Sequence, residues 1–128
     1  MENPSPQGRL EHANISVTDP ERSAALLIEL LGWEERWRGP SMGDGRTIHV
    51  GSNQDYVALY TGDHVKGDYQ KGAPLNHVAF AVQDLNAAEE VVARHGLKAF
   101  SRGKYDPGPE SFYFFDWDGI EFEVVSYE

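Results

Sequence analysis

The sequence predicts an α+β fold of two tandem βαβββ modules, whose strands form a concave mixed sheet around a metal or ligand cavity. Three observations predict it: an internal repeat, the same helix start and stop in each half, and strands that alternate apolar with polar residues. Leu10-Glu-His-Ala-Asn-Ile-Ser-Val17 is similar to Leu75-Asn-His-Val-Ala-Phe-Ala-Val82, which sets His12 on His77 at an offset of 65 (77 − 12). Asp19 falls on Asp84 at the same offset. The stripe Ala24, Leu27, Ile28, Leu31 falls on Ala88, Val91, Val92, His95 at an offset of 64 (88 − 24), and Gly32 on Gly96 and Arg38-Gly39 on Arg102-Gly103 keep it.

Residues 1–8 (MENPSPQG) are polar and Pro-rich and read as a disordered tail. Leu10–Val17 alternates as a half-buried strand should, with Ala13, Ile15 and Val17 on the apolar face and Leu10, His12, Asn14 and Ser16 on the other. Asp19 offers an oxygen to the free amides of a helix start, and Pro20 suits the first helical position. The apolar stripe carries that helix to Leu31, and Gly32 suits the left-handed stop. Trp33–Arg38, Thr47–Gly51 and Tyr56–Thr61 follow as strands, with Gly39–Gly45 as a loop. The second half reads Leu75–Val82, a helix from Leu85 to His95, then Leu97–Arg102, Phe112–Phe115 and Ile120–Tyr127. The modules are expected at 9–62 and 75–128, with a polar, Gly-containing linker at 63–74. Tyr105–Glu110 is a turn-rich loop placed to act as a lid.

With 128 residues the chain has the size of one domain, and each half is too small and too one-sided to stand alone. A content of 40% apolar and 25% charged residues suits a packed core. Eleven basic against 21 acidic residues give a net charge of −10, which argues against nucleic-acid and anionic-membrane partners and disfavours small anions as substrates. No apolar run is long enough for a membrane span and none has the form of a signal peptide, so the expected location is cytoplasmic. The absence of cysteine leaves any metal to His, Asp and Glu.

One helix covers one face of each sheet, so the other face must enclose something. On that face lie His12, His77 and, with Glu121, Glu123 near the end of the last strand. Two imidazoles and one carboxylate are the set favoured by Fe2+ or Mn2+ and tolerated by Ni2+, Co2+ or Zn2+. Carrying Glu123 back by one repeat gives Ala58 or Leu59, neither of which binds metal, so the site has three protein ligands and open positions. Tyr56 and Tyr60 flank Ala58 and line the cavity. Asn14 is placed to orient a ligand, and His49 to act as an acid or base near it. His64 in the linker could cover the site. His95 at a helix end complements the dipole. Trp33 and Trp37 alternate with Glu35 on one strand and read as packing residues.

The doubled βαβββ pattern, the histidine opening each half and Asp116-Trp-Asp-Gly-Ile-Glu-Phe-Glu-Val-Val125 resemble the vicinal oxygen chelate superfamily. It holds glyoxalases, bleomycin-sequestering proteins, extradiol dioxygenases and fosfomycin-resistance thiol transferases. The resemblance implies a divalent metal that chelates two neighbouring oxygens of a small, aromatic substrate, and a homodimer in which modules pair across subunits. It also implies metal ligation by His12, His77 and Glu123, with Tyr113, ten residues before the glutamate, assisting proton handling as in the dioxygenases. Ala58 departs from the glyoxalases, which carry a ligand carboxylate there. Gly103 and Pro107 depart from the fosfomycin-resistance enzymes, although Ser111–Gly119 is close to theirs. The leading expectation is a dioxygenase-like metalloprotein. The alternatives are a metal-dependent lyase or thiol transferase, or a protein that sequesters a small molecule without turnover; substrate-binding residues are expected among Asn14, His49, Tyr56 and Ala58.

Overall fold

The computed structural model describes residues 7–41, 43–104 and 108–128. Its elements run β1 (His12–Ser16), α1 (Pro20–Leu31), β2 (Glu34–Pro40), β3 (Arg46–Gly51), β4 (Tyr56–Thr61), β5 (Val78–Ala81), α2 (Leu85–Arg94), β6 (Phe100–Lys104), β7 (Glu110–Phe115) and β8 (Glu121–Ser126). This is βαβββ twice. Most of the tail expected at 1–8, and residues 105–107 of the expected lid, lie outside the described residues.

The helix starts follow from their sequence. Asp19 Oδ1 accepts from the Arg22 amide at 3.1 Å and Asp84 Oδ1 from the Ala87 amide at 3.1 Å, each meeting one of the donors a first turn leaves free. Gly32 ends α1 at φ 66°, a left-handed conformation that costs glycine nothing, and its amide reaches the Ile28 carbonyl at 3.0 Å. His95 caps α2, and its ring meets a carboxylate from the other module, Nε2 lying 2.7 Å from Glu29.

The strands form two four-stranded mixed sheets, ordered β1-β4-β3-β2 and β5-β8-β7-β6, rather than one continuous sheet. In each, the first strand runs parallel to the last, as the intervening helix requires, and the other pairs are antiparallel. Ile15, Val50, Val57 and Leu59 on the first sheet, and Phe80, Phe112, Phe122 and Val124 on the second, are buried with Leu27, Leu30, Ala88 and Val92 of the helices in one core. Phe112 and Phe114 have no exposed surface, and truncating either to alanine would cost about 3–5 kcal/mol. The modules are joined by contacts between the helices, by the Trp33 ring edge-on to Phe80 at 5.6 Å, and by Asp118. That buried carboxylate accepts from the Thr18 amide at 3.0 Å and from its hydroxyl at 2.6 Å.

Two local expectations are corrected. Leu10 and Leu75 lie outside the strands and are exposed, because β1 and β5 are shorter than the alternating pattern. Trp33 and Trp37 do not share a face: Glu35 opposes Val50 while Trp37 opposes His49, so Arg36 is the extra residue of a β-bulge. The bulge resets the alternation and turns Trp37 away from the helix.

Candidate functional site

Each sheet presents an open face, away from its helix, and cross-strand partners share it. On the second sheet Tyr113 of β7 opposes Glu123 of β8, and Phe100 of β6 opposes Tyr113. His77, just before β5, brings its Nε2 to 3.0 Å from Glu123 Oε1. The Tyr113 ring meets His77 edge-on at 5.6 Å and stacks on Phe100 at 5.9 Å. A cavity of about 290 Å³ opens beside His77, Tyr113 and Phe100, with Lys71 and Glu121 at its rim.

The hydrogen bonds fix how His77 is presented. Lys71 Nζ, which can only donate, lies 2.7 Å from Asn76 Oδ1, so that atom is the amide carbonyl. His77 Nδ1 lies 2.7 Å from the same oxygen and is therefore the donor. The Nε2 atom, facing a carboxylate oxygen, is left with either a second proton or a lone pair for a cation shared with Glu123. Lys71 also pairs at 2.8 Å with Glu121, a carboxylate only 6% exposed that needs this partner. The linker lysine thus ties Asn76, and through it His77, to β8.

The first sheet displays a different set. His12 opposes Tyr56, Asn14 opposes Ala58, and His49 opposes Ala58 from the other side. The His12 ring stacks on Tyr56 at 4.6 Å and 9°, His49 stacks on Tyr56 at 4.7 Å, and Trp37 lies 5.1 Å from His49. The Arg36 guanidinium sits 4.5 Å from the centre of the Tyr56 ring. Burial pushes the His49 imidazole below its usual pKa, and the nearby His12 and Arg36 push it the same way. His12 Nδ1 donates to Glu11 Oε1 at 2.7 Å, so its Nε2 takes no part in that bond. Ala58 is buried, and His64 lies over Tyr60 at 5.7 Å.

The structure therefore brings His77, Glu123 and Tyr113 together and leaves His12, with His49 and Tyr56, on the other sheet. Among the described residues of one chain, no three His, Asp or Glu side chains converge on a point able to hold a metal. Donor chemistry fits a divalent cation at His77 and Glu123, an imidazole and a carboxylate 3.0 Å apart with a preset tautomer. The pair would fill two positions of such an ion and leave a third ligand to be supplied. Sequence reasoning missed Glu11 and Asn76, which precede the two histidines and bond the same ring nitrogen in each. Their equivalent places in Leu10-Glu-His and Leu75-Asn-His were the signal.

Comparison with known proteins agrees with the architecture. Residues 9–124 match the family model described as the Glyoxalase/Bleomycin resistance protein/Dioxygenase superfamily. A glyoxylase/bleomycin resistance protein/dioxygenase domain from Frankia sp. EAN1pec is 23% identical, with a TM-score of 0.79 over 95% of this chain and 98% of that one. The fosfomycin resistance protein FosX from Mesorhizobium loti is 25% identical, with a TM-score of 0.71 over 91% and 90%. A variant of FosX from Listeria monocytogenes, complexed with Mn(II) and 1S,2S-dihydroxypropylphosphonic acid, is 20% identical with a TM-score of 0.71 over 92% and 91%. No curated protein matches the chain. No helix among the described residues is long and apolar enough to cross a membrane.

Proposed function

Because the chain belongs to the Glyoxalase/Bleomycin resistance protein/Dioxygenase superfamily, we propose that it is a divalent-metal enzyme acting on a small, oxygen-rich, bidentate compound. Its ion is held by His77 and Glu123 of one copy and by His12 of a second copy in a homodimer. One observation carries the reading: His77 Nε2 and Glu123 Oε1 face each other at 3.0 Å, while His12, equally presented by Glu11, stands on the other sheet. Two-fold pairing of the first module of one copy with the second module of the other completes two equal sites. Fe2+ or Mn2+ suits two imidazoles and a carboxylate best, and Ni2+, Co2+ or Zn2+ is tolerated.

The ion supplies Lewis-acid chemistry, lowering the pKa of a chelated hydroxyl or polarising a carbonyl. The chain's residues do the remainder. Asn76 and Glu11 hold the Nδ1 protons of His77 and His12, so both rings bind through Nε2. Tyr113, edge-on to His77, donates its hydroxyl proton toward a substrate oxygen. His49, whose pKa burial lowers, accepts a proton on the opposite wall beside Tyr56. This set is dioxygenase-like. Likeness to the Mesorhizobium protein favours a second reading, a redox-neutral transferase or lyase using the same residues. The aromatic first sheet favours a third, sequestration of a small molecule without turnover.

Metal analysis of protein loaded in turn with iron, manganese, nickel and zinc tests the proposal. One ion per chain, lost in His77→Ala, is expected; less than stoichiometric metal with all four overturns the enzyme reading. Oxygen consumption with a panel of catechols then separates a dioxygenase from a transferase or lyase. A monomer by size-exclusion chromatography at micromolar concentration would contradict the shared site.

A further inference from the structure

The aromatic rings on the first sheet lie down on bare backbone. A Cβ at Gly39 would fall 2.6 Å from the Trp37 ring, one at Gly45 within the Tyr60 ring contact, and one at Gly62 2.7 Å from the Tyr60 hydroxyl. Three glycines thus make room for two rings to lie along the sheet. Trp37, half exposed, and Tyr60 form a floor, and beside it the His12, Tyr56 and His49 rings stack face to face across the strands and cover one another's faces. The corresponding Gly103 of the second sheet has nothing within 4 Å of such a Cβ, so the floor belongs to the first module alone.

At the edge of the floor, the bulge at Arg36 sets an arginine beside Trp37 on the same face. No carboxylate lies within ion-pair distance of Arg36 among the described residues, whereas Arg38, two residues on, holds Glu21 at 2.6 Å and Glu35 at 2.7 Å. A guanidinium stacked on a tyrosine keeps its in-plane N–H donors for a second partner, and those donors match the two oxygens of a carboxylate. The net charge of −10 repels small anions from the molecule at long range, but it does not remove this local fork.

We propose that the open face of the first module recognises a planar aromatic anion, its ring laid on the half-exposed Trp37 indole and its acidic oxygens received by Arg36, which the Tyr56 ring holds beside it. The inference rests on the proposed shared site, because that face is then the wall opposite the ion. It assigns specificity to Arg36 and Trp37, which the metal reading does not use.

Isothermal titration of the full chain with 2-naphthoate, its neutral isostere 2-naphthamide and the non-aromatic cyclohexanecarboxylate tests it, first with metal stripped and then with Mn2+ present. Naphthoate is expected to bind the metal-free protein about tenfold more tightly than either comparator, the scale of one charge-assisted contact or one stacked ring. Arg36→Gln should abolish the preference over the amide, and Arg36→Lys, which keeps the charge but not the planar fork, should keep only part of it. Equal binding of naphthoate and naphthamide, no binding, or a preference that survives Arg36→Gln would overturn the inference. A preference that appears only with Mn2+ would also overturn it, since the ion would then be reading the anion, and would leave the metal proposal standing. Naphthoate binding as expected in a protein that takes up no Mn2+ would defeat the metal proposal and uphold this one.

Discussion

Across β7 and β8 of the second module the open face carries Tyr113 opposite Glu123, with His77 3.0 Å from the carboxylate; the same step of the first module carries His49 opposite Ala58, and His12 turns to Tyr56. One backbone plan has diverged into two kinds of surface. The second presents point groups, a ring nitrogen and a carboxylate held by hydrogen bonds and a phenol set against the imidazole ring. The first offers flat rings and a guanidinium. A duplicated module can therefore divide the work of a site, one copy gripping an ion and the other reading a molecule. The turns diverge too: residues 52–55 of the first module are exposed, whereas Asp116 and Asp118 of the second are buried.

Removing Glu123 should have the largest effect on this contrast. Glu123→Ala is expected to lower Mn2+ affinity more than 100-fold, a loss above about 2.7 kcal/mol, while Ala58→Ser at the matching step leaves it within threefold. Titration with a fluorescent chelator competitor reads both, and equal effects would erase the distinction between the modules.

The buried turn comes next. Burial raises the Asp116 pKa from 3.8 to about 6, partly offset by the amides of Asp118 and Ile120 that its Oδ1 accepts at 2.9 Å. A carboxyl whose folded pKa lies above its unfolded value favours the folded state when protonated. Its contribution is complete below about pH 4 and is lost as pH rises through about 6. Asp116→Asn, which keeps the accepting oxygen, should gain up to about 3 kcal/mol at pH 7.5 and little at pH 4. Asp55→Asn in the exposed turn should change neither. Urea denaturation at the two pH values decides, and a loss of stability in Asp116→Asn at pH 7.5 would contradict the assignment.

Cutting the tie between modules is expected to cost less. Thr18→Val removes the hydroxyl that Asp118 accepts at 2.6 Å and should destabilise by about 2 kcal/mol. A single transition with a lowered midpoint would show that the modules still unfold together; two transitions would show that Thr18 couples them. Smallest are the helix caps: Asp84→Ala and Asp19→Ala should each cost about 1 kcal/mol, with thermal midpoints falling by similar amounts in the two halves.

Much of this was legible in the chain. The repeat carried the order of elements, because strands and helices announce themselves by period and by caps such as Asp19, Pro20 and Gly32. The alternation put Glu121 and Glu123 on the open face. Two things were not legible. A β-bulge is one residue in register, and nothing in Glu34-Glu-Arg-Trp-Arg38 announces that Arg36 is the extra one, which breaks the simple alternation of Trp33, Glu35 and Trp37. Nor does a repeat state whether equivalent residues meet. His12 and His77 match because the modules match, and packing through the helices, with Asp118 and Trp33 fixing the contact, leaves them on separate sheets.

An ion held by His12 of one copy and by His77 and Glu123 of the other can be reassembled by mixing two variants that each lack a complete ligand set. His12→Ala and Glu123→Ala should each bind no Mn2+ alone. Unfolded together in equal amounts and refolded, they should regain about a quarter of the wild-type sites, because half the dimers are mixed and each mixed dimer holds one intact set. No recovered binding in dimers shown to be mixed would contradict a shared site.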